Sequence, residues 1–134
     1  MASATAATPG FGDLLRAWRE AAGSSQSALA KQVGVDASYV NRSESGQRGV
    51  ERREIVLGFA RALGLSAIDT DRLLMAAGFL PEALHRLGPN DPTLTLIANV
   101  LTTNQLSPGE QQLFRQVVNA IAKRWLGLPA TSDE

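Results

Sequence analysis

Residues Ser25 to Gly46 read SQSALAKQVGVDASYVNRSESG, and the pattern of this stretch decides how the rest of the chain folds. Ala28, Leu29 and Val33 set an apolar stripe at helical spacing. Gly34 supplies the positive φ that stops a helix, and a second helix restarts after Asp36 with Val40 turned inward. Ser25 is a competent N-cap for the first of these helices and puts Gln26 at its first position, beside the free amides of the opening turn. The connection Gly34-Val35-Asp36 has the short length that a helix-turn-helix requires. Ala30 falls where the two helices cross, and a larger side chain there would push them apart.

Working outward, the segment before the motif predicts a helix from about Phe11 to Ala22, with Phe11, Leu14, Leu15, Trp18 and Ala22 on one face and Gly23 at its end. That stripe makes Trp18 a core residue rather than a stacking platform. After the motif, Gly46 to Val50 reads as a loop. A fourth helix then begins near Glu51 to Arg53 and ends at Leu63, burying Val56, Phe59, Ala60 and Leu63. Ser66, with Asp69 three residues on, starts a fifth helix that uses Leu73, Leu74 and Ala77. The expected fold class is all-α, a five-helix domain followed by a small C-terminal helical segment.

In that segment a short sixth helix is expected from Pro81 to Leu87, and Gly88-Pro89-Asn90 then breaks the chain. Asp91 with Pro92 opens another helix, to about Leu101, and the capping box Ser107-Pro108-Gly109-Glu110 opens the last, to about Leu126. Leu113, Phe114, Val117, Val118, Ile121 and Trp125 give the last helix more apolar surface than one packed side needs, which marks it as a dimerisation element. The expected organisation is a flexible tail over 1–10, a domain over 11–80, C-terminal helices over 81–128 and a second tail over 129–134.

Composition sets the bounds. In 134 residues, 44% apolar content suffices for a core. Cysteine is absent, which excludes disulfides and thiolate metal sites. No apolar run approaches the roughly 18 residues of a membrane span, and the N-terminus lacks the pattern of a signal peptide, so a cytoplasmic protein is expected with no membrane partner. The single histidine, His85, sits on the short sixth helix as a surface residue. With no Gly-rich phosphate loop and no carboxylate cluster at ligand spacing, no enzyme activity, metal or cofactor is expected. Net charge is zero, from 13 basic and 13 acidic residues, but Arg42, Arg48, Arg52 and Arg53 gather against Glu44 and Glu51 into a local basic edge.

The stretch around Gln26, Leu29, Ala30, Gly34, Val35, Ser38, Tyr39, Val40, Arg42, Glu44 and Gly46 resembles the phage repressor and Cro-type helix-turn-helix family, and the likeness extends from about Phe11 to Pro81. The resemblance implies a transcriptional regulator that binds double-stranded DNA. It places Asp36, Ala37, Ser38, Asn41 and Arg42 toward the bases, with phosphate contacts from Gln26, Tyr39, Arg48, Arg52 and Arg53. It also implies a partly buried ion pair between Arg19 and Glu44. Ser24 and Ser43 stand where the family has large apolar residues, which predicts looser or wetter packing between helix one and the recognition helix. The leading expectation is a repressor acting as a homodimer on an inverted repeat. The alternatives are an antitoxin-like or adaptor protein whose C-terminal helices bind another protein, and an interaction module that no longer touches DNA.

Overall fold

The structure, a computed structural model, describes residues 10–129. They form eight helices and no strand: α1 (Phe11–Ala21), α2 (Gln26–Val33), α3 (Ala37–Ser45), α4 (Arg53–Ala62), α5 (Ala67–Ala76), α6 (Glu82–Leu87), α7 (Pro92–Thr102) and α8 (Pro108–Leu126). The fold is all-α, as the apolar periodicity predicts. The expected tails fall outside the described residues except for Gly10, the N-cap of α1, and Pro129. Contacts divide the chain after Leu87 into two units.

In the first unit, α1 to α5 enclose Leu15, Leu29, Val40, Val56, Phe59, Leu73 and Leu74, all fully buried. Each such side chain contributes about 1.5–3 kcal/mol through removal from water. Trp18 packs against this core, and the Phe11 and Phe59 rings meet at 6.3 Å in a tilted arrangement. The starts and stops follow local chemistry. The Ser25 hydroxyl accepts from the Ala28 N–H, the Ser66 hydroxyl accepts from the Asp69 N–H, and Gly34 takes φ +84° at the end of α2. Ala22 and Ala28, expected on the inner faces, are exposed. Val50, in the loop expected from Gly46 to Val50, also belongs to the core.

The crossing of α1 and α3 corrects the expectation raised by Ser43. The crossing is tight rather than loose, because both helices carry small residues there. A Cβ at Gly12 would lie 2.3 Å from the Glu44 carbonyl oxygen and 2.6 Å from that of Ser43, so the two backbones meet directly. Ser43 is buried, and its hydroxyl has no hydrogen-bond partner among the described residues. Ser24 holds the corner otherwise, since its carbonyl accepts from Arg19 Nη1 at 2.9 Å.

The sixth helix, expected with the C-terminal segment, is attached to the first unit by polar contacts. Arg53 Nη2 donates to Glu82 Oε1 at 2.6 Å and Arg53 Nη1 to the Leu80 carbonyl at 2.7 Å, while the Glu82 N–H donates to Asp71 Oδ1 at 3.0 Å. The boundary drawn at residue 80 thus moves to the chain break expected at Gly88-Pro89-Asn90, after Leu87.

The second unit is held by its caps. Asp91 Oδ1 accepts from the Thr93 and Leu94 amides, and Ser107 with Glu110 forms the full reciprocal capping box. Gln111 Nε2 joins α8 to α7 through the Val100 and Thr103 carbonyls. No residue of α7 or α8 is buried.

The Gly12 contact can be tested by substitution. Alanine would add helix propensity worth up to about 1 kcal/mol, but its methyl meets backbone that cannot step aside. Gly12→Ala is expected to lower unfolding free energy by about 1–3 kcal/mol in urea denaturation; unchanged or increased stability would show that the crossing has room.

Candidate nucleic-acid interface

Three helices converge on one carboxylate. The Glu44 side chain is fully buried at the inner face of α3. Arg19 of α1 donates Nε to its Oε2 at 2.6 Å and Nη2 to its Oε1 at 2.9 Å, a two-pronged ion pair. Gln26, the first residue of α2, donates Nε2 to Oε1 at 3.0 Å, and Arg16 Nε approaches the same oxygen at 3.5 Å. Burial alone would raise the Glu44 carboxyl. The hydrogen bonds from Arg19 and Gln26, the Arg19 charge and the Arg16 contact together outweigh it and hold the group below the usual carboxylate range. The ion pair implied for Arg19 and Glu44 is present. Arg16 was missed, although its position one turn before Arg19 on the same face was a readable signal.

With its inner face anchored through Val40, Ser43 and Glu44, α3 turns its other residues outward. Asp36, Ala37, Ser38, Asn41 and Arg42, the five residues expected to face bases, are all exposed. Asp36 is the N-cap of α3 by backbone geometry, but its side chain makes no capping hydrogen bond. Arg42 Nε donates to the Ser38 carbonyl at 3.3 Å, one turn back. Asn41 Nδ2 donates to Gln26 Oε1 at 3.3 Å, so Gln26 links the buried Glu44 to the exposed Asn41. The sequence pattern assigned Gln26 and Asn41 separate roles and gave no sign of this link.

The residues expected at phosphates divide. The Arg48 guanidinium lies 4.5 Å from the Tyr39 ring centroid, a cation–π pair at the edge of the motif. Arg52 is 71% exposed, with only a 3.8 Å approach to Glu54. Arg53 departs from expectation. It is 12% exposed and tied to Leu80 and Glu82, so its charge fastens α6 instead of facing outward. The sequence could not separate it from Arg52, because the two are adjacent and only the turn into α4 decides which points inward.

Residues 11–73 match the family model for a helix-turn-helix domain. The first unit is a helix-turn-helix domain. The HTH-type transcriptional repressor RghR of Bacillus subtilis (strain 168) is 32% identical over 87 residues, 65% of this chain and 62% of that protein. The chain thus spans less than two thirds of that relative's length. No solved structure is matched. Among the described residues, no helix is long and apolar enough to cross a membrane.

The Glu44 cluster gives the helix-turn-helix domain a pH signature. A carboxyl lowered in the folded state contributes stability above its unfolded range, near pH 4.5, and that contribution is lost as pH falls through the folded value. Glu44→Gln is expected to cost about 3 kcal/mol at pH 7 by leaving Arg19 unmatched at a largely buried position. It is also expected to flatten the acid limb of stability below about pH 4.5. Equal acid sensitivity in both proteins, followed by thermal melts from pH 7 to pH 3, would place the titrating group elsewhere.

Proposed function

We propose that the protein is a sequence-specific double-stranded DNA-binding transcriptional repressor, acting in the cytoplasm as a homodimer on an inverted-repeat operator. The observation that carries this reading is that α3 is anchored by buried Val40, Ser43 and Glu44 while Ala37, Ser38, Asn41 and Arg42, and Asp36 at its N-cap, stay exposed. A helix so held can enter the major groove with its first turns against base edges. The match of residues 11–73 to a helix-turn-helix domain and the likeness to a protein named as a repressor support it.

In this reading Arg42 is the residue with the reach and donor pattern for a guanine, contributing roughly 1–3 kcal/mol of discrimination. Ala37 and Ser38 are short and suit thymine methyls or water-mediated contacts. The N-terminus of α2 with Gln26, the Tyr39–Arg48 pair and Arg52 take phosphates. A single recognition helix reads too few bases for specificity, so two copies would place their helices about one helical turn, roughly 34 Å, apart.

Selection of bound sequences from a random DNA pool is expected to return an inverted repeat. Footprinting in which one half-site binds as tightly as the full repeat would reject the dimeric reading. The exposed apolar face of α8 also favours the adaptor alternative, in which the purified chain would be monomeric by sedimentation and a different protein would co-purify with it.

Mutants separate the roles on α3 and beyond it. Arg42→Ala is expected to relax preference at one base pair. Arg52→Ala is expected to weaken all sequences alike and to lower the slope of log K against log salt by about 1. Absence of any salt-dependent binding to DNA would leave a fold that no longer engages it, and a reversed pattern between the two mutants would exchange their roles.

A further inference from the structure

The second unit has helices but no interior. None of the residues of α7 and α8 is buried, and Leu113, Val117, Ile121 and Trp125 of α8 are 60%, 49%, 55% and 86% exposed. At 11 residues α7 is marginal alone in water, and a continuous apolar stripe such as that of α8 calls for cover. The α7 helix does not provide it. It meets α8 through Gln111 and along a groove lined by Ile97, Leu101, Phe114 and Val118. At 100° per residue, Gln111, Phe114 and Val118 centre about 90° around the helix from Val117. The face centred on Val117 stays open.

That face is complementary to itself when reversed. Glu110 and Arg124 stand two turns before and after Val117, each within about 20° of its direction, with the apolar residues between them. Two parallel copies would set Glu110 against Glu110 and Arg124 against Arg124. Two antiparallel copies set each Glu110 beside an Arg124, at both ends of the contact. Reversal about Val117 also brings Leu113 and Ile121, about 40° to either side of it, to the same level of the contact. A different protein would place no demand on the two ends of α8 to match each other.

We propose that α8 pairs antiparallel with α8 of a second copy of this chain, with the two-fold axis beside Val117 and each Glu110 beside Arg124 of the other copy. The arrangement is isologous, as a closed two-fold dimer requires. It rests on the homodimer reading and supplies that dimer's interface.

Because the chain contains no cysteine, single-cysteine variants of the full chain report the register directly. Under mild oxidation Val117→Cys is expected to cross-link to itself. Leu113→Cys and Ile121→Cys are each expected to cross-link poorly alone and efficiently when mixed. Self-cross-linking of Leu113→Cys as complete as that of Val117→Cys would mean a parallel pair and overturn the proposal. A dimer by sedimentation with no cross-link on α8 would overturn the interface while leaving the homodimer reading intact, and a monomeric chain would overturn both.

Discussion

The buried carboxylate of Glu44 is the constraint on which the orientation of the recognition helix depends. A charge withdrawn from water is costly unless its oxygens are fully matched, and removing one partner is strongly destabilising. Here the matching donors come from α1 through Arg16 and Arg19 and from α2 through Gln26. The carboxylate therefore satisfies itself only when all three helices are in place. The same Gln26 continues to Asn41 on the outer face of α3, so the geometry of the interior reaches the surface proposed for DNA in two hydrogen bonds.

Beside this cluster, close backbone contact replaces side-chain packing. Gly12 and Ser43 let α1 and α3 approach until carbonyl oxygens occupy the place of a Cβ. The arrangement leaves the Ser43 hydroxyl enclosed without a partner among the described residues, a cost of about 1–3 kcal/mol for a buried polar group. The fully buried apolar set around Leu15, Leu29 and Phe59 offsets it many times over. Tight seating of α3 and a satisfied serine are in conflict here, and the seating prevails.

The two units obtain order by different means. In the first, core burial and the Glu44 and Arg53 contacts reinforce one another over long sequence separations. In the second, caps at Asp91, Ser107 and Gly127 define helices whose apolar residues remain uncovered within the chain. Zero net charge fits this division. The exposed Arg42, Arg48 and Arg52 act locally, where the field is set by neighbours within about 10 Å and not by the total.

The sequence by itself determined every helix start and stop that rests on local chemistry: Ser25, Ser66, Asp91 and Ser107 as caps, Gly34 as the turn, and the apolar stripes that bury Leu29, Val40 and Phe59. These interactions close within four residues, so spacing alone reveals them. It also gave the motif and the open face of α3, since a helix anchored by Val40 and Glu44 must turn Ser38 and Arg42 outward. Tertiary structure alone decided the roles of side chains with several available partners. Arg53 and Arg52 are the same residue type side by side, yet one fastens α6 and the other faces solvent. Gln26 joined Glu44 and Asn41 rather than standing free, and Gly12 met a carbonyl more than thirty residues away. Such outcomes depend on distances between helices remote in the chain, and no local pattern encodes them.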